Sequence, residues 1–117
     1  MTQIDSSALT RLLQVIGGDT EDLAEFIDDF AEIVPEMIHK MKSGSANNDW
    51  NTVKIAAHSL KSNSTDLGAT ALADLCAVIE TESNHGAVAN AQLKIGQISL
   101  AAQEAISALK ALDPDTL

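Results

Sequence analysis

Residues 49–68, DWNTVKIAAHSLKSNSTDLG, repeat small and apolar side chains at the spacing of an α-helix. At 100° per residue, one side of this helix falls within roughly 60° of a single direction. That side consists of Val53, Ala56, Ala57, Leu60, Ser64 and Leu67. Asp49 can cap the beginning of the helix, and Gly68 can end it in a left-handed conformation. The pattern predicts a helix that buries this side, with two alanines that allow a neighbouring helix to approach closely.

Two more helical segments precede this stretch. The first covers about 6–16 and ends at a pair of glycines, and the second covers about 19–42. Pro35 lies inside the second segment, and we expect it to kink or split the helix because proline removes one backbone hydrogen bond. Residues 43–48, SGSANN, are predicted to form a loop.

Two helices are predicted after the quoted stretch. One covers about 69–83, and the other begins near Val88 and reaches Leu109, with a turn at 84–86 between them. These segments predict an all-α fold, an antiparallel up-down four-helix bundle with a short leading N-terminal helix, in one domain over 1–117. A looser five-helix globule and a bundle completed by dimerisation are the alternatives.

The composition narrows the class of partner. The chain has 117 residues and a formal net charge of −10, which argues against nucleic acid or an anionic membrane as the main partner. One cysteine, Cys76, cannot form an internal disulfide, and no stretch approaches 18 apolar residues. We therefore expect a cytoplasmic protein.

His58 is the candidate reactive residue. On the helical wheel it points about 140° away from Val53, so it faces water in the middle of the helix. Lys54 and Lys61 share its side, and they could neutralise the nearly two negative charges of a phosphorylated imidazole. Ser62, one turn further on, is small enough to let a second protein reach the ring. The alternative is a histidine that is merely solvated, as exposed helix histidines commonly are.

The chain resembles histidine-containing phosphotransfer (HPt) domains, the four-helix relay modules of multistep two-component signalling. The resemblance covers roughly residues 9–86 and rests on several elements in the same order. These elements are Ile16-Gly17-Gly18-Asp19, Leu23, Phe30, Ala57-His58-Ser59-Leu60-Lys61, Leu67-Gly68-Ala69, Leu72, Leu75-Cys76 and Ile79-Glu80.

The resemblance implies a role for each matching residue. His58 corresponds to the phosphorylated histidine, Lys61 to the lysine that steadies the phosphoryl group, and Glu80 to the residue that holds the inner ring nitrogen. Gly68 matches the glycine after the active-site helix. Ser62 departs from the pattern, because the family usually has glycine directly after the lysine.

The resemblance also implies the partners. Response-regulator receiver domains and a hybrid sensor histidine kinase would exchange the phosphoryl group with His58, and the Mg²⁺ would be bound by the receiver. The chain itself would need no cofactor or metal, act as a monomer, and have no kinase or ATPase activity of its own. Two other functions stay open: a helical adaptor that binds a receiver or kinase without being phosphorylated, and an oligomeric bundle with a structural role.

The remaining candidate residues have ordinary interpretations. No pair of the three histidines has metal-ligand spacing, so His39 and His85 are predicted to be surface residues. Cys76 lies on an apolar stripe and is predicted to be a buried thiol. The family docks receivers on its first two helices beside the active helix, which indicates the region of Leu12/Leu13 and Leu23/Phe26, with Ile55 near His58. A run of acidic residues is predicted to be a solvated helix face: Glu21, Asp22, Glu25, Asp28, Asp29 and Glu32.

Overall fold

Five α-helices and no strands make up residues 4–113, the part of the chain that the computed structural model describes. They are α1 (Ser6–Val15), α2 (Thr20–Ala46), α3 (Trp50–Asp66), α4 (Thr70–Asn84) and α5 (Ala91–Ala111). Three short connections join the last four helices, so that α3 packs on α2 and α4, and α5 packs on the same two helices. The α1 helix lies against α2 and α3. The predicted all-α bundle with a leading helix is confirmed.

Aspartates begin the first three helices. The carboxylates of Asp5 and Asp19 accept the backbone N–H groups of Ser7 and Glu21, and the carboxylate of Asp49 accepts both the N–H and the hydroxyl of Thr52. These bonds satisfy donors that have no partner inside the helix. The chain therefore specifies where the first three helices begin by local chemistry alone.

The predicted buried side of α3 forms the centre of the bundle. Val53, Ala57, Leu60 and Ser64 have no accessible surface, and the Ser64 hydroxyl donates to the carbonyl of Leu60 over 2.6 Å. The rest of the core is almost entirely aliphatic, with Phe30 as its one buried aromatic ring among the described residues. Because α3 contacts α1, α2 and α4, its orientation fixes which of its residues reach solvent.

The predicted loop at 43–48 is wrong for its first four residues, since α2 continues to Ala46. Gly44 is buried against α3: a Cβ there would lie 2.9 Å from Cγ2 of Val53 and 2.9 Å from the carbonyl oxygen of Asp49. The N–H of Asp49 also donates to the carbonyl of Gly44 over 2.8 Å. Glycine at this position allows the end of α2 to approach the start of α3 closely, and it does not form a turn.

Pro35 does not split α2, which runs through it. Proline inside a helix costs about 3 kcal/mol, but its ring is exposed while apolar residues on both sides, including Phe30, Val34 and Met37, are buried. Burial of each such side chain contributes about 1.5–3 kcal/mol, which offsets the lost bond. The start of α5 also differs from the prediction, since Val88 is buried in the connection before Ala91.

Gly68 closes α3 in the left-handed conformation that the sequence predicts, with φ +76°. Its carbonyl accepts the N–H of Asp5 over 2.8 Å, and a Cβ on Gly68 would collide with the Asp5 backbone. Gly96 differs from Gly68, because it lies inside a helix, is exposed, and has room for a Cβ atom.

We expect Gly68→Ala to lower the free energy of unfolding by about 1–3 kcal/mol, since alanine is strained at this φ and the collision is with backbone. Gly96→Ala should raise it by about 0.5–1 kcal/mol, because alanine is the better helix former. Urea denaturation of both variants checks this. Equal effects of the two substitutions would contradict the assignment of Gly68 as a required glycine.

Candidate functional site

His58 lies in the middle of α3 with 63% of its side chain accessible, in the orientation that the helical wheel predicts. The α4 helix runs alongside, and Glu80 lies opposite His58 on the facing side. The turn at 67–69 sets this register: His58 is ten residues before Gly68, and Glu80 is twelve residues after it. The antiparallel pairing therefore brings together two side chains that are 22 residues apart.

One carboxylate binds two cationic or proton-bearing groups. Oε2 of Glu80 lies 2.5 Å from Nδ1 of His58, and Oε1 accepts a hydrogen bond from Nζ of Lys61. His58 and Lys61 are three residues apart on α3, so they lie on neighbouring positions of the same helix face. The sequence did not predict the contact between Lys61 and Glu80. The available signal was that Lys61 shares a face of α3 with His58, the residue that Glu80 was predicted to hold.

Electrostatics keeps Glu80 charged. The hydrogen bond from Lys61 is the largest cause that holds the pKa of Glu80 below its ordinary value, and the bond with His58 acts in the same direction against partial burial. A carboxylate can only accept a hydrogen bond, so in a neutral imidazole the proton sits on Nδ1. Nε2 then keeps its lone pair and is the ring atom that can act as a nucleophile.

The model of the Hpt domain family matches residues 22–112, which include this site. The chain belongs to the Hpt family. Membership makes it a histidine phosphotransfer protein of a phosphorelay, a carrier of phosphoryl groups rather than a kinase, with receiver domains and histidine kinases as its class of partner.

The Hpt fold is also found in a solved structure. The chain is similar to histidine-containing phosphotransfer protein B (HptB) from Pseudomonas aeruginosa PAO1, with a TM-score of 0.82 and 22% sequence identity. The match covers 92% of this chain and 90% of that protein. Among curated protein sequences there is no significant match.

The remaining candidates of this Hpt domain lie away from the site or inside the core. His39 and His85 are exposed, on α2 and at the end of α4. Cys76 is buried as predicted, and burial raises the pKa of its thiol to about 12, with the charge of Glu80 as a further cause. Within residues 4–113, no three His, Cys, Asp or Glu side chains could hold a metal ion together. The acidic run on α2 is solvent-exposed, as predicted.

The residues expected around the site of the Hpt domain divide by exposure. Ser62 and Ile55 are exposed beside His58, and Lys54 is half-buried. Phe26 is 37% exposed, but Leu23 is buried in the core, so the expectation of a surface role for Leu23 is wrong. One turn of α2 separates them, and tertiary packing covers the first and leaves the second partly exposed. In the described part of the chain, no helix is both long enough and apolar enough to cross a bilayer.

The lowered pKa of Glu80 predicts a pH-dependent stability. A carboxyl whose pKa is depressed by folding stabilises the protein above its ordinary pKa of 4.5, and this contribution is lost as the pH falls through the folded-state value. We expect Glu80→Gln to be less stable than the parent near about pH 7, and the difference to shrink towards about pH 3. Urea denaturation across this range, with Glu32→Gln on the exposed face of α2 as control, measures it. A difference that grows as the pH falls would contradict the ion pair.

Proposed function

We propose that His58 is the residue of this Hpt domain that carries the phosphoryl group, through Nε2. The observation that supports this most directly is the exposed imidazole whose Nδ1 is held by the Glu80 carboxylate. A histidine with one nitrogen bound in this way presents the other in a defined tautomer and orientation. Of the three histidines, His39 and His85 have no such contact with a carboxylate among the hydrogen bonds of residues 4–113.

In the proposed reaction, Nε2 attacks the phosphorus of a phosphoaspartate on a receiver domain. The new nitrogen–phosphorus bond forms as the bond to the aspartate oxygen breaks, and the aspartate carboxylate leaves. The ring then carries a proton on Nδ1 and a positive charge, which the adjacent Glu80 carboxylate stabilises. Attack by a second receiver's aspartate on the same phosphorus reverses these changes, and neutral imidazole leaves.

Lys61 and its neighbours assist the transfer in this proposal. The phosphoryl group adds nearly two negative charges, and Lys61 is the cation closest in sequence to His58 on the exposed side of α3. Because Lys61 already donates to Glu80, it also holds that carboxylate in place. Lys54 adds positive charge from the preceding turn, Ser62 leaves room for the receiver, and Gly68 fixes the turn that aligns α3 with α4.

We further propose that 1–117 act as one domain, since α1 to α5 contribute to one hydrophobic cluster. In this proposal the domain is a monomer and has no ATPase activity of its own. The partners would be receiver domains and a hybrid sensor kinase, with Mg²⁺ bound on the receiver and no cofactor on this chain. A cytoplasmic location stays a prediction from the sequence.

The first test labels the protein with phosphoramidate, a small phosphodonor that needs no receiver, and separately with a phosphorylated receiver. We expect acid-labile label on the parent and on His39→Gln and His85→Gln, and none on His58→Gln. Label that persists on His58→Gln would contradict the proposal. Unchanged receiver affinity and signalling in His58→Gln would instead indicate an unphosphorylated adaptor.

A second test examines the two residues around the imidazole. We expect Glu80→Ala and Lys61→Met to slow phosphoramidate labelling by on the order of 10- to 100-fold. Each substitution removes a charge whose interaction with the reacting groups is stronger in the transition state than in the ground state. Glu80→Gln should restore part of the rate, since its amide oxygen also accepts from Nδ1–H. The matched controls are Glu82→Ala and Lys94→Met, which break the carboxylate–lysine pair between α4 and α5. An equal loss of labelling rate in the control variants would indicate that Glu80 and Lys61 act only by stabilising the structure, and would contradict their proposed roles.

A further inference from the structure

An apolar groove lies where α1, α2 and α3 meet. Its larger part has a volume of about 540 Å³, and its lining includes Arg11, Val15, Phe26, Thr65 and Asp66. A smaller part of about 170 Å³ is lined by Phe26, Asp29, Phe30, Ile33, Asn63 and Leu67. The two parts lie next to each other, because Phe26 lines both. Val15, which is 82% exposed, is the most accessible large apolar side chain at this groove.

The groove is within reach of any protein that contacts His58. Thr65 follows His58 by seven residues, which is two turns or about 10 Å along α3 and nearly the same side of the helix. The exposed Ser62 lies between them. A specific interface buries about 800 Å² on each partner, so one centred near His58 would extend over the groove.

The negative charge of the chain is concentrated in the segment that forms α1 and the first part of α2, two of the three helices at this groove. Residues 5–36 contain nine carboxyl groups and one cation, Arg11, and so hold −8 of the net charge of −10. Asp29 and Asp66 line the groove together with one cation, Arg11, and Asp22 lies one turn from Phe26 on the same side of α2. All three carboxyl groups are exposed. We call Asp22, Asp29 and Asp66 the acidic rim.

We infer that the groove and its acidic rim select, among receiver domains, one whose docking face carries lysines and arginines around an apolar centre. This inference rests on the proposed function, because that function makes a receiver the protein that must contact His58. Apolar contacts with Val15 and Phe26 hold the complex, and the rim accelerates encounter with a basic partner and repels an acidic one. A second copy of this chain is a poor occupant, since it would bring another −8 to the same surface.

The test compares two double variants that remove the same charge. Asp29→Asn with Asp66→Asn, the rim variant, neutralises the two rim carboxylates that line the groove. The control variant, Asp28→Asn with Asp74→Asn, neutralises two exposed aspartates that do not line it. Each protein is labelled on His58 with phosphoramidate. The second-order rate constant for transfer is then measured to every receiver domain encoded in the same genome.

For the fastest receiver at low ionic strength, we expect the rim variant to be slower by on the order of three- to tenfold and the control variant to stay within about twofold of the parent. The difference should vanish near 1 M salt, where the Debye length is about 3 Å. Towards receivers with an acidic docking face, the rim variant should be faster than the parent. Equal rates for the two variants would overturn the inference, and so would fastest transfer to acidic-faced receivers.

Two further outcomes distinguish a failure of this inference from a failure of the proposed phosphotransfer function. Labelling of His58 with no effect of the rim overturns the inference and leaves the phosphotransfer proposal intact, whereas no labelling by phosphoramidate or any receiver overturns both. Sedimentation of the unlabelled protein tests whether a second copy of this chain occupies the groove instead. A dimer that Val15→Asp dissociates would assign the groove to a second copy and overturn the proposal.

Discussion

Burial of one side of α3 is the constraint on which the other features of this protein depend. Val53, Ala57 and Leu60 pack so tightly that they have no accessible surface, and Gly44 lets α2 approach them closely. With that side fixed, the opposite side of α3 must face solvent, and it carries His58. Rotation of α3 that hid His58 would expose this stripe, at a cost of about 1.5–3 kcal/mol for each large apolar side chain.

The second level of organisation is the pairing of α3 with α4. Gly68 turns the chain between the two helices, and its contact with the Asp5 backbone ties the leading segment to the same turn. That turn sets the register in which Glu80 meets both His58 and Lys61. A histidine on an isolated helix would have no preferred tautomer, whereas here the Glu80 carboxylate, whose lowered pKa keeps it charged, accepts a hydrogen bond from Nδ1–H.

Charge is distributed so that attraction and chemistry use different parts of the surface. Most of the net −8 of residues 5–36 lies on α2 and on the aspartates that cap α1 and α2, while Lys54 and Lys61 place two cations on the side of α3 that carries His58. A negative field acts over about 8–10 Å at physiological salt, which suits capture of a partner, whereas the phosphoryl group needs cations at contact distance. One small domain thereby combines a long-range and a short-range electrostatic role.

The sequence by itself determined the features that depend on local chemistry. Helical periodicity predicted the outward direction of His58 and the buried side of α3, and Gly68 predicted the end of that helix, because each depends on residues within a turn or two. Tertiary structure alone decided that 43–46 is helical, that α2 continues through Pro35, and that Leu23 is buried while Phe26 is exposed. It also decided that Lys61 binds Glu80. These outcomes depend on which distant segment covers a given side chain, and the energy of that contact outweighs the local preference for a turn or a break.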